Sequence, residues 1–134
     1  MMNEKLKLAL IIILIIIVPA AGCSRQAGRE SYQTISSEEA KSMIDEMEDA
    51  VILDVRTREE FEQGHIEKAV LIPYTDIEDK IESIVPDKEA TLLVYCRSGR
   101  RSAIAAGKLA EMGYVKVYDF GGIIDWPYGT VNQE

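Results

Sequence analysis

Cys96-Arg97-Ser98-Gly99-Arg100-Arg101-Ser102 is the run of this sequence with the most chemistry in it. A thiol follows directly on the apolar stretch Thr91 to Tyr95, and a polar, glycine-containing loop follows the thiol. If a strand ends there and a helix begins beyond, the loop amides can converge as an anion nest under the helix N-terminal field. The same field lowers the pKa of a thiol placed in it. Three arginines in five positions, in an otherwise acidic chain, add to that field. The run therefore combines a nucleophilic thiolate with an oxyanion cradle. The competing reading of Cys96 is a buried, inert cysteine, but a core has no use for Arg97, Arg100 and Arg101. Those arginines could instead be solvated or paired with carboxylates, a reading that falls more on Arg100 than on Arg97 or Arg101.

Such a site needs elements to hold it, and the pattern of apolar residues supplies them. Tyr32 to Ile35 reads as a short edge strand. Ser36 with Glu39 forms a capping box, and Ala40, Met43, Ile44 and Met47 recur at helical spacing over about 37–48. Val51 to Val55 is a strand that carries Asp54 near its end. Thr57 with Glu60 gives a second capping box, Phe61 supplies the apolar face, and Gly64 stops the helix. Ala69 to Ile72 is a short strand, and Ile77, Ile81, Ile84 and Val85 mark a third helix. Thr91 to Tyr95 suits the middle of a parallel sheet covered on both faces. Ser102 to Met112 reads as a helix with Gly113 at its cap, and Val115 to Tyr118 as the last strand. Gly121-Gly122 turns the chain, and Ile123, Ile124 and Trp126 are expected to pack back. Alternating strands and helices predict an open α/β domain with a central parallel five-stranded sheet flanked by helices. Ligand sites in such sheets lie beyond the carboxyl ends of the strands, where Asp54 and Cys96 both fall.

The chain has 134 residues and a formal net charge of -8, room for one ordinary domain. Leu8 to Val18 are eleven consecutive apolar residues, preceded by Lys5 and Lys7 and followed by small residues. That is the order of a signal peptide. The run is short of the ~18–20 apolar residues of a spanning helix, and a marginal uncleaved anchor is the alternative. Ala20-Ala21-Gly22-Cys23 resembles the lipobox of bacterial lipoproteins, with Ala20 where leucine is commoner. That resemblance implies lipidation of Cys23 and cleavage before it. Residues 1–22 are then a signal peptide, 23–31 the lipidated cysteine and a polar tether, and 32–134 the working domain. The expected place is a bacterial cell envelope, extracytoplasmic and lipid-anchored to a membrane. A chain starting at Cys23 would have 112 residues, 13 basic and 22 acidic, a net charge of -9. That excess disfavours nucleic acid and other polyanions as partners. With Cys23 acylated, Cys96 is the remaining thiol, so an internal disulfide is not expected.

The ordered motifs resemble the rhodanese family. Asp54-Val55-Arg56 with Glu59-Glu60-Phe61 and Gly64-His65-Ile66 is similar to its first signature, and Cys96 to Ser102 to its persulfide loop. Gly121-Gly122-Ile123 with Trp126 is similar to its closing segment, so the resemblance spans about residues 34–128. It implies a ping-pong sulfur transfer with no metal and no cofactor. Cys96 would take sulfane sulfur from a donor such as thiosulfate or a persulfide, and pass it to a thiol or to cyanide. The loop residues Arg97, Ser98, Gly99, Arg100 and Arg101 would bind the donor's oxyanion end, with Arg97 and Arg101 neutralising the departing sulfite. Asp54 and Arg56 are expected to be structural, ordering the region by hydrogen bonding and ion pairing. His65 is expected to fix a turn. Large two-domain members often carry arginine at the position of Glu60, so an acidic residue here is expected to weaken thiosulfate binding.

Three rivals remain. Cysteine-dependent phosphatases and arsenate reductases of related fold use Cys-x5-Arg, and the residue that would be arginine is Ser102. A redox protein would need a resolving cysteine, and Cys-x-x-Cys is absent. The third is a tethered module: the intact Cys96 argues against an inactive partner-binding version, while a sulfur carrier differs from the enzyme only in its acceptor.

Overall fold

The computed structural model describes residues 31–132. The apolar N-terminal run, Cys23 and residues 24–30 of the tether lie outside the described residues.

Five strands form one parallel sheet: β1 (Gln33–Thr34), β2 (Val51–Asp54), β3 (Val70–Leu71), β4 (Thr91–Cys96) and β5 (Lys116–Gly122). Their order across the sheet is β1-β5-β4-β2-β3, and every pairing is parallel. Four helices connect them: α1 (Ser37–Glu46), α2 (Arg58–Gln63), α3 (Ile77–Ile84) and α4 (Arg100–Glu111). This is the expected open α/β architecture. Both capping boxes are present, Ser36 with Glu39 on α1 and Thr57 with Glu60 on α2.

Strand periodicity divides the core in two. Leu53, Leu92, Val94, Cys96 and Val117 pack with Ile77 and Ile81 of α3 and Ala105, Ala106 and Leu109 of α4. Ile52, Leu93, Tyr95 and Phe120 pack on the opposite face with Ala40 of α1 and with Ile66. Alternate residues of a strand point to opposite faces, so Tyr95 and Cys96 are committed to different layers. β4 is buried along its whole length, as a central parallel strand must be.

The structure departs from the sequence expectation at three places around the cysteine loop. The last helix begins at Arg100, not Ser102, because Gly99 at φ 108° already turns the chain into it. β5 extends through Gly121-Gly122, where the sequence suggests a turn. Cys96 pairs with Gly122 across an irregularity in the β4–β5 register, so the strand carries on beside the loop. A 3-10 turn then spans Ile123–Asp125. Ile123 and Trp126 do pack on the Phe120 layer, but Ile124 points outward and is 63% exposed.

Candidate active site

Cys96 is the last residue of β4, at the carboxyl edge of the sheet, and only 1% exposed. Its Sγ accepts a hydrogen bond from the Gly99 amide at 3.0 Å. That amide belongs to the residue at the N-cap position of α4, where no side chain caps the helix. A helix start leaves several N–H groups without intrahelical partners. Here the thiol is folded back over them. Gly99 can do this because its left-handed backbone is one that other residues adopt only with strain.

Two opposed effects act on the Cys96 thiol. Burial pushes it up. The Ser102 hydroxyl, together with the amides of Ser102, Gly99 and Ser98, pulls it down further than burial raises it, to below the ordinary thiol value. Ser102 is fully buried, and its hydroxyl also donates to the Gly99 carbonyl at 3.0 Å. A hydroxyl carries one proton and rotates to suit its surroundings. It can therefore serve the carbonyl beside a neutral thiol and turn to the sulfur when a thiolate forms.

A second feature holds the loop from below. A Cβ added to Gly122 would lie 2.6 Å from Ser98 Cα and closer still to the Arg97 carbonyl. The two backbones are in direct contact, and no side chain fits between them. The Ile124 amide adds a hydrogen bond to the Arg97 carbonyl at 3.3 Å. The end of β5 is therefore the floor of the cysteine loop, which gives the Gly121-Gly122-Ile123 run its physical reason.

The three arginines behave differently. Arg101 donates through both terminal nitrogens to the Glu60 carboxylate, at 2.7 and 2.8 Å. Arg101 first of all, with the Thr57 amide and hydroxyl of the capping box, holds the Glu60 carboxyl down at about 2. Arg100 is exposed, with its guanidinium 5.9 Å from the Tyr74 ring centre. Arg97 is exposed and has no ion-pair partner among the described residues. The ion pairing that the sequence reading puts on Arg100 belongs instead to Arg101. No sequence signal points to this, because Glu60 and Arg101 meet only in the folded chain.

Asp54 and Arg56 lie at the same edge of the sheet but serve its other face. The Arg56 Nε and Nη2 donate to the two Asp54 oxygens at 2.9 and 2.6 Å, and Nη2 also reaches the Gly64 carbonyl at 2.7 Å. The Tyr95 hydroxyl donates to Asp54 Oδ2 at 2.6 Å and accepts from the Ile66 amide at 3.1 Å. Burial first, then the Asp54 charge, push the Tyr95 phenol far above its ordinary value, which keeps it a donor. This network ties β2, β4 and the loop after α2 together, on the side of the sheet away from the sulfur. Tyr95 escapes sequence reasoning because its hydroxyl sits within an otherwise apolar strand.

His65 stacks on Phe61 with ring centres 3.7 Å apart, and its Nδ1 is 2.9 Å from the Phe61 carbonyl. A carbonyl only accepts, so Nδ1 carries the proton. The His65 backbone forms a two-bond bridge with Val131. These contacts fix the turn after α2. No group of acidic, histidine or cysteine side chains suited to a metal occurs among the described residues.

Comparison with known proteins agrees with this geometry. Residues 36–127 match the rhodanese-like domain family. The chain is 42% identical over 73 residues to the thiosulfate sulfurtransferase PspE of Escherichia coli, covering 54% of this chain and 70% of that protein. It is 37% identical over 93 residues to a sulfurtransferase of Allochromatium vinosum, covering 69% and 85%. It superposes on a crystal structure of a rhodanese-like domain protein from Staphylococcus aureus with a TM-score of 0.67 and 32% identity, covering 76% and 99%. A buried thiol at the end of a central parallel strand, cradled by the next helix, thus coincides with a match over most of the described residues: the chain belongs to the rhodanese-like domain family.

Proposed function

We propose that this protein is a sulfurtransferase that carries sulfane sulfur on Cys96, from a donor such as thiosulfate to a thiophilic acceptor. One observation carries the reading: the Cys96 sulfur accepts the Gly99 amide at 3.0 Å at the start of α4. A sulfur so placed is stabilised as an anion before any substrate arrives. In the first half-reaction the Cys96 thiolate attacks the outer sulfur of thiosulfate. A bond forms between Sγ and that sulfur, the sulfur–sulfur bond of thiosulfate breaks, and sulfite leaves with the electron pair. The terminal sulfur of the Cys96 persulfide then carries the negative charge, and the loop amides that already lower the Cys96 thiol support this reading as its anion stabilisers. In the second half-reaction an acceptor thiolate or cyanide attacks that terminal sulfur, and the pair returns to Cys96. Sulfite is a good leaving group, so the scheme needs no general acid.

The test is mass spectrometry of the intact chain after exposure to thiosulfate. The expected result is a gain of one sulfur atom on Cys96, absent in Cys96→Ala, with thiocyanate produced when cyanide is added. Absence of both would end the reading, and Cys96-dependent hydrolysis of an aryl phosphate would replace it with the phosphatase. We propose further that Cys23 anchors the domain to a membrane of the bacterial envelope, on the strength of the apolar run and the lipobox-like residues before it. Removal of residues 1–22 should then release the chain from membranes, and persistent membrane partition would place the anchor elsewhere.

A further inference from the structure

On the face of the sheet away from Cys96, the end of α1 and the C-terminal segment line an open cavity of about 600 Å³. Its floor is apolar, made by Ile44 and Met47 at the end of α1 and by Ile52 of β2. Ile52 belongs to the layer that packs on α1, near the start of its strand, so the cavity lies toward the amino edge of the sheet. Cys96 belongs to the other layer and ends its strand at the carboxyl edge. The cavity is thus separate from the cysteine loop in both face and edge. Its size falls within the ~300–1,000 Å³ of small-molecule sites.

Trp126 and Tyr128 form one wall, with ring centres 4.9 Å apart and planes at 73°. The Trp126 Nε1 already donates to the Gly129 carbonyl at 3.1 Å, so what this side chain offers a ligand is π surface. Two rings set nearly at right angles make a corner whose faces attract an ammonium group. The chain itself places one there: the Lys41 ammonium stands 5.7 Å from the Tyr128 ring centre. Lys41 is also paired with Asp45, which accounts for both charges. Glu48, Glu67 and Lys68 line the cavity with no ion-pair partner among the described residues. Two carboxylates against one ammonium leave the walls one negative charge in excess, and the exposed neighbours Glu46 and Asp49 add to it. Lys68 holds φ 66°, the one non-glycine residue in the left-handed region among those described. It lies in the turn that the Ala69 amide closes on the Ile66 carbonyl, which carries Glu67 to the cavity. Backbone strain of this kind collects at functional sites.

An anionic ligand would face the excess negative charge. A neutral apolar molecule would leave Glu48 and Glu67 unmatched. A short organic cation meets the aromatic corner, the apolar floor and the carboxylates together. We propose that this cavity binds a small organic ammonium ion whose nitrogen carries apolar substituents. The nitrogen lies against the Trp126–Tyr128 corner, Glu48 and Glu67 supply its counter-charge, and Lys68 opposes it. The site is independent of sulfur transfer at Cys96 and stands or falls without it.

Trp126 is the single tryptophan of the chain, so its fluorescence reports on this wall. The full chain, in a detergent that carries no ammonium group, is titrated with choline, 3,3-dimethyl-1-butanol and 3,3-dimethylbutyrate. These probes share a shape and differ in charge. The expected result is a saturable change in emission, tightest for choline and weakest for the carboxylate. Glu67→Gln and Tyr128→Leu should each weaken choline about threefold, the scale of one exposed ion pair or one exposed cation–π contact. Lys68→Gln should tighten it by a similar factor. Glu111→Gln, an exposed change at the end of α4 on the other face, should leave it unaltered. Choline should also raise the melting midpoint of the parent more than that of Tyr128→Leu, a check that does not use the tryptophan. An ammonium group can come from a free cation or from a lipid headgroup. A choline response kept in phosphatidylcholine vesicles identifies the free cation as occupant. A response lost there but kept in phosphatidylglycerol vesicles identifies the headgroup. No response to choline, equal responses to the three probes, or indifference to both Glu67→Gln and Tyr128→Leu would overturn the site.

Discussion

Arg101 and Glu60 form a two-pronged ion pair at the mouth of the cysteine loop, with nitrogen–oxygen distances of 2.7 and 2.8 Å, although 41 residues separate them in the chain. The same Glu60 oxygen that meets Arg101 also accepts the Thr57 amide, so one carboxylate fastens the N-terminus of α2 to the N-terminus of α4. The pair also removes one positive charge from the face that a donor anion would approach.

Replacing Glu60 by Gln should free that charge while preserving the cap, since glutamine serves as well as glutamate at the third position of a capping box. The expected outcome is a fall in the thiosulfate KM of roughly fivefold, with a stability change of about 1 kcal/mol or less for a partly exposed pair. Steady-state thiocyanate production and a thermal melt check the two halves. An unchanged or higher KM would show that the pair does not restrain donor binding. Because Arg101 holds the Glu60 carboxyl at about 2, the pair contributes fully above the ordinary carboxyl range. That contribution is lost progressively as pH falls from the ordinary carboxyl range to about 2. The effect of Glu60→Gln should therefore be constant across the neutral range.

Ser102→Ala tests the electrostatics of the thiol. The Ser102 hydroxyl is the largest of the influences that draw the Cys96 thiol down against burial. Its loss should move the thiol upward, so that less thiolate is present at neutral pH. Alkylation of Cys96 by iodoacetamide should slow about fivefold there, equivalent to one hydrogen bond of roughly 1 kcal/mol. The rate–pH curve of the variant should lie to the alkaline side of the parent curve. Superimposable curves would mean that the amides alone stabilise the thiolate.

Gly122→Ala tests the contact between β5 and the loop. The added methyl would meet Ser98 Cα and the Arg97 carbonyl, which are backbone atoms with little freedom to yield. Overpacking of this kind costs about 1–3 kcal/mol. The displaced loop should cost more in turnover, on the order of 100-fold for a shift of about 1 Å at reacting groups. A melt and a persulfide-loading assay on the same sample would separate the two effects. Full loading by Gly122→Ala would show that the loop does not need this floor.

The Asp54–Arg56–Tyr95 network should matter for stability and little for chemistry, because it lies on the face of the sheet opposite the thiol. Tyr95→Phe leaves the Ile66 amide without its acceptor and Asp54 without one donor, at a cost of about 1–3 kcal/mol. Arg56→Met strands a buried carboxylate and should cost more, about 3–5 kcal/mol. Denaturant unfolding gives the order. Folded Tyr95→Phe should still form persulfide at near-parental rate, and loss of loading in a chain that remains folded would assign the network a direct part in the site.

Much of this architecture is legible in local pattern. Capping boxes at Ser36 and Thr57, helical spacing in α1 and α3, and the apolar run of β4 are short-range signals that need no tertiary information. Strand–loop–helix order alone places Cys96 at the carboxyl edge, because a parallel sheet with helical crossovers leaves its loops there. The boundary errors fall where long-range contact overrides local preference. Gly121 and Gly122 carry turn residue types, yet they continue β5 because the cysteine loop lies against them and excludes a side chain. Arg100 and Arg101 enter α4 because the thiol and Gly99 set the helix start.

What the sequence by itself determines is the chemistry within one stretch: a thiol, the amides that follow it, and the helix whose first turn needs an acceptor. These groups are neighbours along the chain, so their geometry follows from local backbone rules. What only the tertiary structure decides is which charges remain available there. The sequence reading sets Arg100 apart as the arginine paired or solvated and leaves Arg97 and Arg101 for the substrate anion. In the fold, Glu60 of a distant helix neutralises Arg101, while Arg97 and Arg100 stay exposed with no ion-pair partner among the described residues, Arg100 beside the Tyr74 ring. Charge compensation depends on distance in space, and the partners come from segments that meet only when the sheet is assembled.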